Sequence, residues 1–174
     1  MFKLLVNGLF VCSLVAQSNF KQLSYELGHI TPKQQKVACM VFKKAKEFHL
    51  EYTMTAIAWE ESKFGKYNVN LADPSFGVFH NQIDSVADRH GTKSKWGKSR
   101  LAEQLLYSFD FSFAEALAEL KYWQTYYKNN WDWWRKMVMS YNAGYNLSNG
   151  KAYYKRIVLK IKVLRKLGLK CDNY

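Results

Sequence analysis

The chain has 174 residues, 48% of them hydrophobic, and a formal net charge of +12. That length and apolar content exclude a disordered tail and favour one domain with its own core. The excess of lysine and arginine points to an anionic partner or surface environment, or to a solvated basic face, and no internal repeat or low-complexity tract interrupts the sequence.

Residues 1–18 begin with a positive charge at Lys3, continue as an apolar run from Leu4 to Ala16 and end in the small-x-small step Ala16-Gln17-Ser18. This is the pattern of a cleaved leader, and the apolar run falls short of the roughly 20 residues that a membrane span needs. The expected organisation is a leader at 1–18, an N-terminal extension at 19–30 and a folded domain at 31–174, exported to the periplasm or beyond. Export argues against nucleic acid as the anionic partner, as does the lack of a nucleic-acid-binding signature. Without the leader two cysteines remain, Cys39 and Cys171. An oxidising compartment favours a disulfide between them, while the apolar neighbours of Cys39 suit a buried free thiol equally well. No cysteine or histidine spacing suits a metal, and no cofactor is expected.

Thr31-Pro32-Lys33-Gln34 reads as an N-cap, a proline at the first helical position and the glutamine of a capping box. Val37, Val41, Ala45 and Phe48 follow at helical spacing, so a helix is expected over 32–49. A second, over 53–64, puts Ile57 and Glu61 four residues apart on one face. From 65 to 97 the periodicity lapses into Asn, Asp, Gly, Ser and Pro, which predicts loops and short turns with room for a small β-hairpin. Helices follow at 101–107, at 112–129 behind a capping box Ser112-Phe113-Ala114-Glu115, at 131–141 and at 151–167, with a Gly- and Asn-rich break over 142–150. The fold class is mainly α, with about six helices. Most of the aromatic residues around Trp123, Trp131, Trp133 and Trp134 are expected in the core. The basic final helix is expected to pack on the domain rather than on a membrane.

Three elements carry chemistry: Glu61-Ser62 at the end of an apolar helix, Gly77-Val78-Phe79-His80 in a turn, and Ser140-Tyr141-Asn142-Ala143-Gly144 at a helix end. Their order and gaps resemble the lysozyme-like lytic transglycosylases of bacteria, whose pattern is Glu-Ser, then Gly-Leu-Met-Gln, then Ala-Tyr-Asn-Ala-Gly. The resemblance covers roughly residues 31–164, and the middle element departs from it, since His80 stands where the family has Gln. Asn81-Gln82 supplies an alternative amide if the loop is shifted by two.

The resemblance implies a lysozyme-like domain that cuts peptidoglycan glycan strands with one glutamate, here Glu61. Such chemistry needs a carboxylic acid kept protonated near neutral pH, and apolar burial disfavours the charged form of a carboxyl. In the family the glutamate protonates the glycosidic oxygen and then, as base, helps the 6-hydroxyl of N-acetylmuramic acid attack its own anomeric carbon. By the same resemblance Ser62, Ser75, Gly77 and His80 line the cleft, Tyr141 and Asn142 meet the sugar's acetamido groups, and Tyr153 hydrogen-bonds the glutamate. A hydrolytic muramidase would need a second carboxylate, for which Asp73 and Asp84 are the candidates; a catalytically inactive glycan-binding module is the third reading. The small size resembles monomeric enzymes that open the wall for secretion or conjugation machinery, and a phage or housekeeping role suits the residues equally.

Overall fold

The computed structural model describes residues 17–172, which form eight α-helices, one short 3₁₀ turn and a three-stranded sheet. The proposed leader therefore lies outside the described residues except for Gln17 and Ser18, which belong to the first helix, α1 (17–28). Expected only as an extension, this segment folds because Leu27 is buried in the main core, with Phe20 and Leu23 packed against it. Among the described residues no helix is long and apolar enough to cross a membrane.

Helix α2 (Pro32–Ala45) starts at the anticipated capping box: the Thr31 side chain accepts from the Gln34 amide, and the Gln34 side chain accepts from the Thr31 amide. A 3₁₀ turn, Lys46–Phe48, and His49 at positive φ redirect the chain into α3 (Glu51–Ser62). Residues 53 to 59 of α3 are all buried, so this helix has no solvent stripe over its middle and forms the centre of the domain. It packs against α2 on one side and the last helix, α8 (Leu147–Leu167), on the other.

The stretch that loses periodicity holds more structure than one hairpin. Strands β1 (Val69–Asn70), β2 (Ser75–Phe76) and β3 (Asn81–Gln82) form an antiparallel sheet in the order β1-β2-β3, followed by α4 (Ile83–Arg89). Helix α5 runs over Lys95–Tyr107, starting before the expected 101 because Ser94 caps it through the Gly97 amide. With α4 it forms a second, smaller apolar cluster of Ile83, Val86, Ala87, Leu101 and Leu105.

Helix α6 (Phe109–Tyr127) corrects another expectation. Ser108, not Ser112, is its N-cap, and Ser112 is buried one turn inside, where its carbonyl and hydroxyl accept from the Asn81 side chain. Glu115, read as the partner in the cap, instead faces Arg89 and His90. Helix α7 (Trp133–Ala143) and α8 complete the main cluster, and the break between them is only 144–146. The apolar face of α8, Ile157, Ile161 and Leu164, is buried in that cluster, so this helix packs on the domain. Cys39 and Cys171 form a disulfide that ties the C-terminal tail to α2. Closing a loop of 132 residues contributes on the order of 4–5 kcal/mol in the chain-entropy account.

Candidate active site

Glu61 lies in the last turn of α3, and its two carboxyl oxygens turn to different elements. The Tyr153 hydroxyl on α8 donates to Oε1 at 2.7 Å. His80, in the turn between β2 and β3, places Nδ1 3.5 Å from Oε2. The Glu61 side chain retains 17% exposure, against 12% for His80, enough for a ligand to reach an otherwise enclosed carboxyl.

The turn 77–80 is held from every direction, and these contacts aim His80. Gly77 adopts φ +82°, and a Cβ there would sit 2.4 Å from the Leu105 carbonyl and 2.5 Å from the Ser112 hydroxyl. Glycine is therefore required by close approach to α5 and α6, not by a ligand. The Ser62 hydroxyl donates to the Val78 carbonyl at 2.6 Å and accepts from the Gly65 amide at 2.8 Å. The Tyr141 hydroxyl donates to the Phe79 carbonyl at 3.0 Å, while the Phe79 ring is buried against Phe113. His80 itself has φ 46°, a left-handed conformation that a non-glycine residue holds only when its surroundings impose it. Lys63 and Phe64, just beyond Glu61, also have positive φ.

The tautomer of His80 follows from its partners. Its Nε2 lies 2.7 Å from the Tyr67 carbonyl, which can only accept, so Nε2 carries hydrogen. Nδ1 is therefore the ring nitrogen that faces Oε2 of Glu61. Burial opposes the imidazolium, but the interaction with Glu61, the hydrogen bond to Tyr67 and the Glu61 charge together raise His80 above its ordinary value. Tyr153 and Tyr141 are pushed well above the usual tyrosine range, by burial and then by the Glu61 charge. Both hydroxyls stay protonated at any physiological pH and remain donors.

The other sequence-selected residues divide clearly. Tyr141, His80 and Tyr153 come together at Glu61 and its turn. Ser62 and Ser75 are buried within the fold: Ser62 ties α3 to the turn, and Ser75 pairs with Asn70 and Gln82 in the sheet. Asn142 is exposed on the last turn of α7. The alternative amides are otherwise engaged, since Asn81 binds Ser112 and Gln82 caps α4 through the Ser85 amide. Of the carboxylates considered as a second catalytic group, Asp73 is exposed in the turn between β1 and β2, and Asp84 pairs with Lys98 on α5. Tyr154, one position from Tyr153, points away towards Trp134.

Sequence reasoning missed Tyr67, which acts through its backbone carbonyl and so leaves no side-chain signal. It also missed Arg89 and Glu119, which form an ion pair at 2.6 Å and, with His80, Gln82, Ser85 and Tyr141, line a recess beside the site. Among the described residues no cluster of histidine, cysteine or carboxylate groups suits a metal ion.

Compared with known proteins, the chain is similar to an uncharacterized 20.7 kDa protein in the vs-regB intergenic region of Enterobacteria phage T4. The two are 28% identical over 182 residues, which takes in 95% of this chain and 94% of the other. No family model matches the chain. No solved structure matches it either.

Proposed function

We propose that this protein is a peptidoglycan lytic transglycosylase of lysozyme-like fold, cleaving the β-1,4 bond between N-acetylmuramic acid and N-acetylglucosamine with Glu61 as acid and then base. The observation that carries the reading is the environment of Glu61. One largely enclosed carboxyl is oriented by a permanent tyrosine donor on one oxygen and by His80 on the other. The fold is compatible with the reading too: a helix buried from Thr53 to Trp59 carries this glutamate in its last turn, and a small sheet follows it.

Since Tyr153 occupies Oε1, Oε2 on the His80 side is the oxygen that carries the catalytic proton. It passes to the glycosidic oxygen as the bond to the anomeric carbon breaks, and the substrate's acetamido group assists. The carboxylate then takes the proton of the 6-hydroxyl as that oxygen closes on the anomeric carbon, giving a 1,6-anhydro sugar and consuming no water. Such a route needs no second carboxylate, which fits the exposed position of Asp73 and the pairing of Asp84 with Lys98. Positioned proton transfer of this kind contributes about 10²–10⁴-fold in rate.

The substrate places the enzyme outside the cytoplasm, where the Cys39–Cys171 disulfide is also at home, and the +12 charge suits an anionic wall. Similarity to a phage protein favours a role in opening the wall for a virus over a role with a secretion or conjugation apparatus. Mass spectrometry of soluble products from purified peptidoglycan tests the chemistry. Anhydro-muropeptides are expected. Reducing ends would make the enzyme a muramidase, and wall binding without any product would make it a glycan-binding module.

A further inference from the structure

Three tyrosines outside the catalytic cluster lie open to solvent side by side. Tyr122 and Tyr126 on α6 are 50% and 56% exposed, and Tyr145, in the short α7–α8 connection, is 65% exposed. The rings of Tyr126 and Tyr145 meet edge to face at 5.6 Å, those of Tyr122 and Tyr126 lie nearly parallel at 6.3 Å, and the hydroxyls of Tyr122 and Tyr145 are hydrogen-bonded to each other. Trp123 lies beneath them, 4.9 Å from the rings of both Tyr122 and Tyr145, and is nearly buried. Gly144 makes this possible: its φ of +56° reverses the chain after α7 and brings Tyr145 back over α6.

The patch is linked to the site through the buried Trp123 and Glu119. Trp123 Nε1 donates to Glu119 Oε1 at 2.6 Å, and Glu119 lines the recess that also holds Tyr141 and His80. We propose that Tyr122, Tyr126 and Tyr145 form a stacking platform for a sugar ring of the glycan strand, a binding subsite at a distance from the bond that Glu61 cuts. This deepens the proposed function and rests on it. The chemistry favours a sugar over an apolar partner. A pyranose offers a face of C–H groups to an aromatic ring and hydroxyls around its edge, and each of these rings carries a hydroxyl of its own. The backing by Trp123 and the hydroxyl pair fix the rings in advance, which lowers the ordering cost of binding.

The test uses the full chain carrying Glu61→Gln, so that ligand is not consumed, with a hexamer of N-acetylglucosamine as probe in isothermal titration calorimetry. The double substitution Tyr122→Ala and Tyr145→Ala is expected to lower affinity about ten-fold, as the loss of two ring contacts implies. Tyr145→Phe, which keeps the ring, is expected to retain the affinity. Equal affinity in the double variant and its parent would overturn the platform while leaving the proposed function standing if wild-type protein still releases muropeptides. Failure of the parent to bind the hexamer, together with no muropeptide release by the wild type, would sink both. A dimer in sedimentation that disappears in the double variant, with hexamer affinity unchanged, would reassign the patch to self-association and overturn the proposal.

Discussion

On the α8 side of α3, Glu60 gives both carboxyl oxygens to cations, Arg156 and Lys160, each at 2.5 Å. One residue later, Glu61 gives one oxygen to a tyrosine hydroxyl and turns the other towards a histidine from the sheet. The two side chains are about 100° apart around one helix and 15% and 17% exposed, so neither sequence position nor accessibility separates them. What differs is the kind of partner. Burial opposes the charge on Glu60, but Lys160 and Arg156 overcome it and hold the carboxyl below its ordinary range. A carboxylate so neutralised fastens α3 to α8. Glu61 meets no lysine or arginine, only a tyrosine hydroxyl and the imidazole of His80.

That contrast is broken most severely at Glu61. Glu61→Gln keeps the shape and the Tyr153 contact but removes the ionisable carboxyl, and glycan cleavage is expected to fall about 10²–10⁴-fold with little change in melting temperature. Glu60→Gln should do the reverse. It strands Lys160, whose side chain is only 4% exposed and whose pKa burial already lowers despite its Glu60 partner. The expected cost is about 3 kcal/mol in a denaturant titration, with the activity of the folded fraction retained.

Tyr153→Phe sharpens the contrast on the catalytic side alone. Losing a hydroxyl that donates to a carboxyl is expected to cost about 1.5–3 kcal/mol of transition-state stabilisation, roughly ten- to a hundred-fold in kcat, with a smaller effect on KM.

The smallest effect is the pH dependence carried by His80. Its folded value lies above its ordinary one, so the folded protein holds that proton more tightly than the unfolded chain. The stability it adds is fully present below the unfolded value near 6.5 and is lost as pH rises through the folded value. The stability advantage of wild type over His80→Gln, read by chemical denaturation, should therefore be larger at pH 6 than at pH 8. In rate profiles the same substitution should remove an ionisation near neutrality.

Much of this was legible in local pattern. The Thr31–Gln34 cap, the apolar α3 and the Ile57–Glu61 spacing each depend on residues within one turn of one another, where sequence carries the physics directly. The failures share a cause in long-range contact. Ser112 matched a capping box because a Glu lies three residues on, but Ser108 provides the cap a turn earlier and Asn81 from the sheet claims Ser112. Gly77 was expected to line the cleft, whereas its missing side chain answers to the Leu105 carbonyl from a helix 28 residues away. Helix α1 escaped notice because its burial depends on a core that the rest of the chain builds. The aromatic region divides only in three dimensions: Trp123 and Tyr127 go inside, while Tyr122, Tyr126 and Trp131 stay exposed.

In the proposed function Glu61, and not its neighbour, is the working acid. The most direct test is the rate of muropeptide release from dye-labelled peptidoglycan by Glu61→Gln and Glu60→Gln, measured side by side at matched concentrations of folded protein. Near-complete loss in the first and wild-type release in the second is the predicted result. Release that survives Glu61→Gln, or is abolished by Glu60→Gln in fully folded protein, would contradict it.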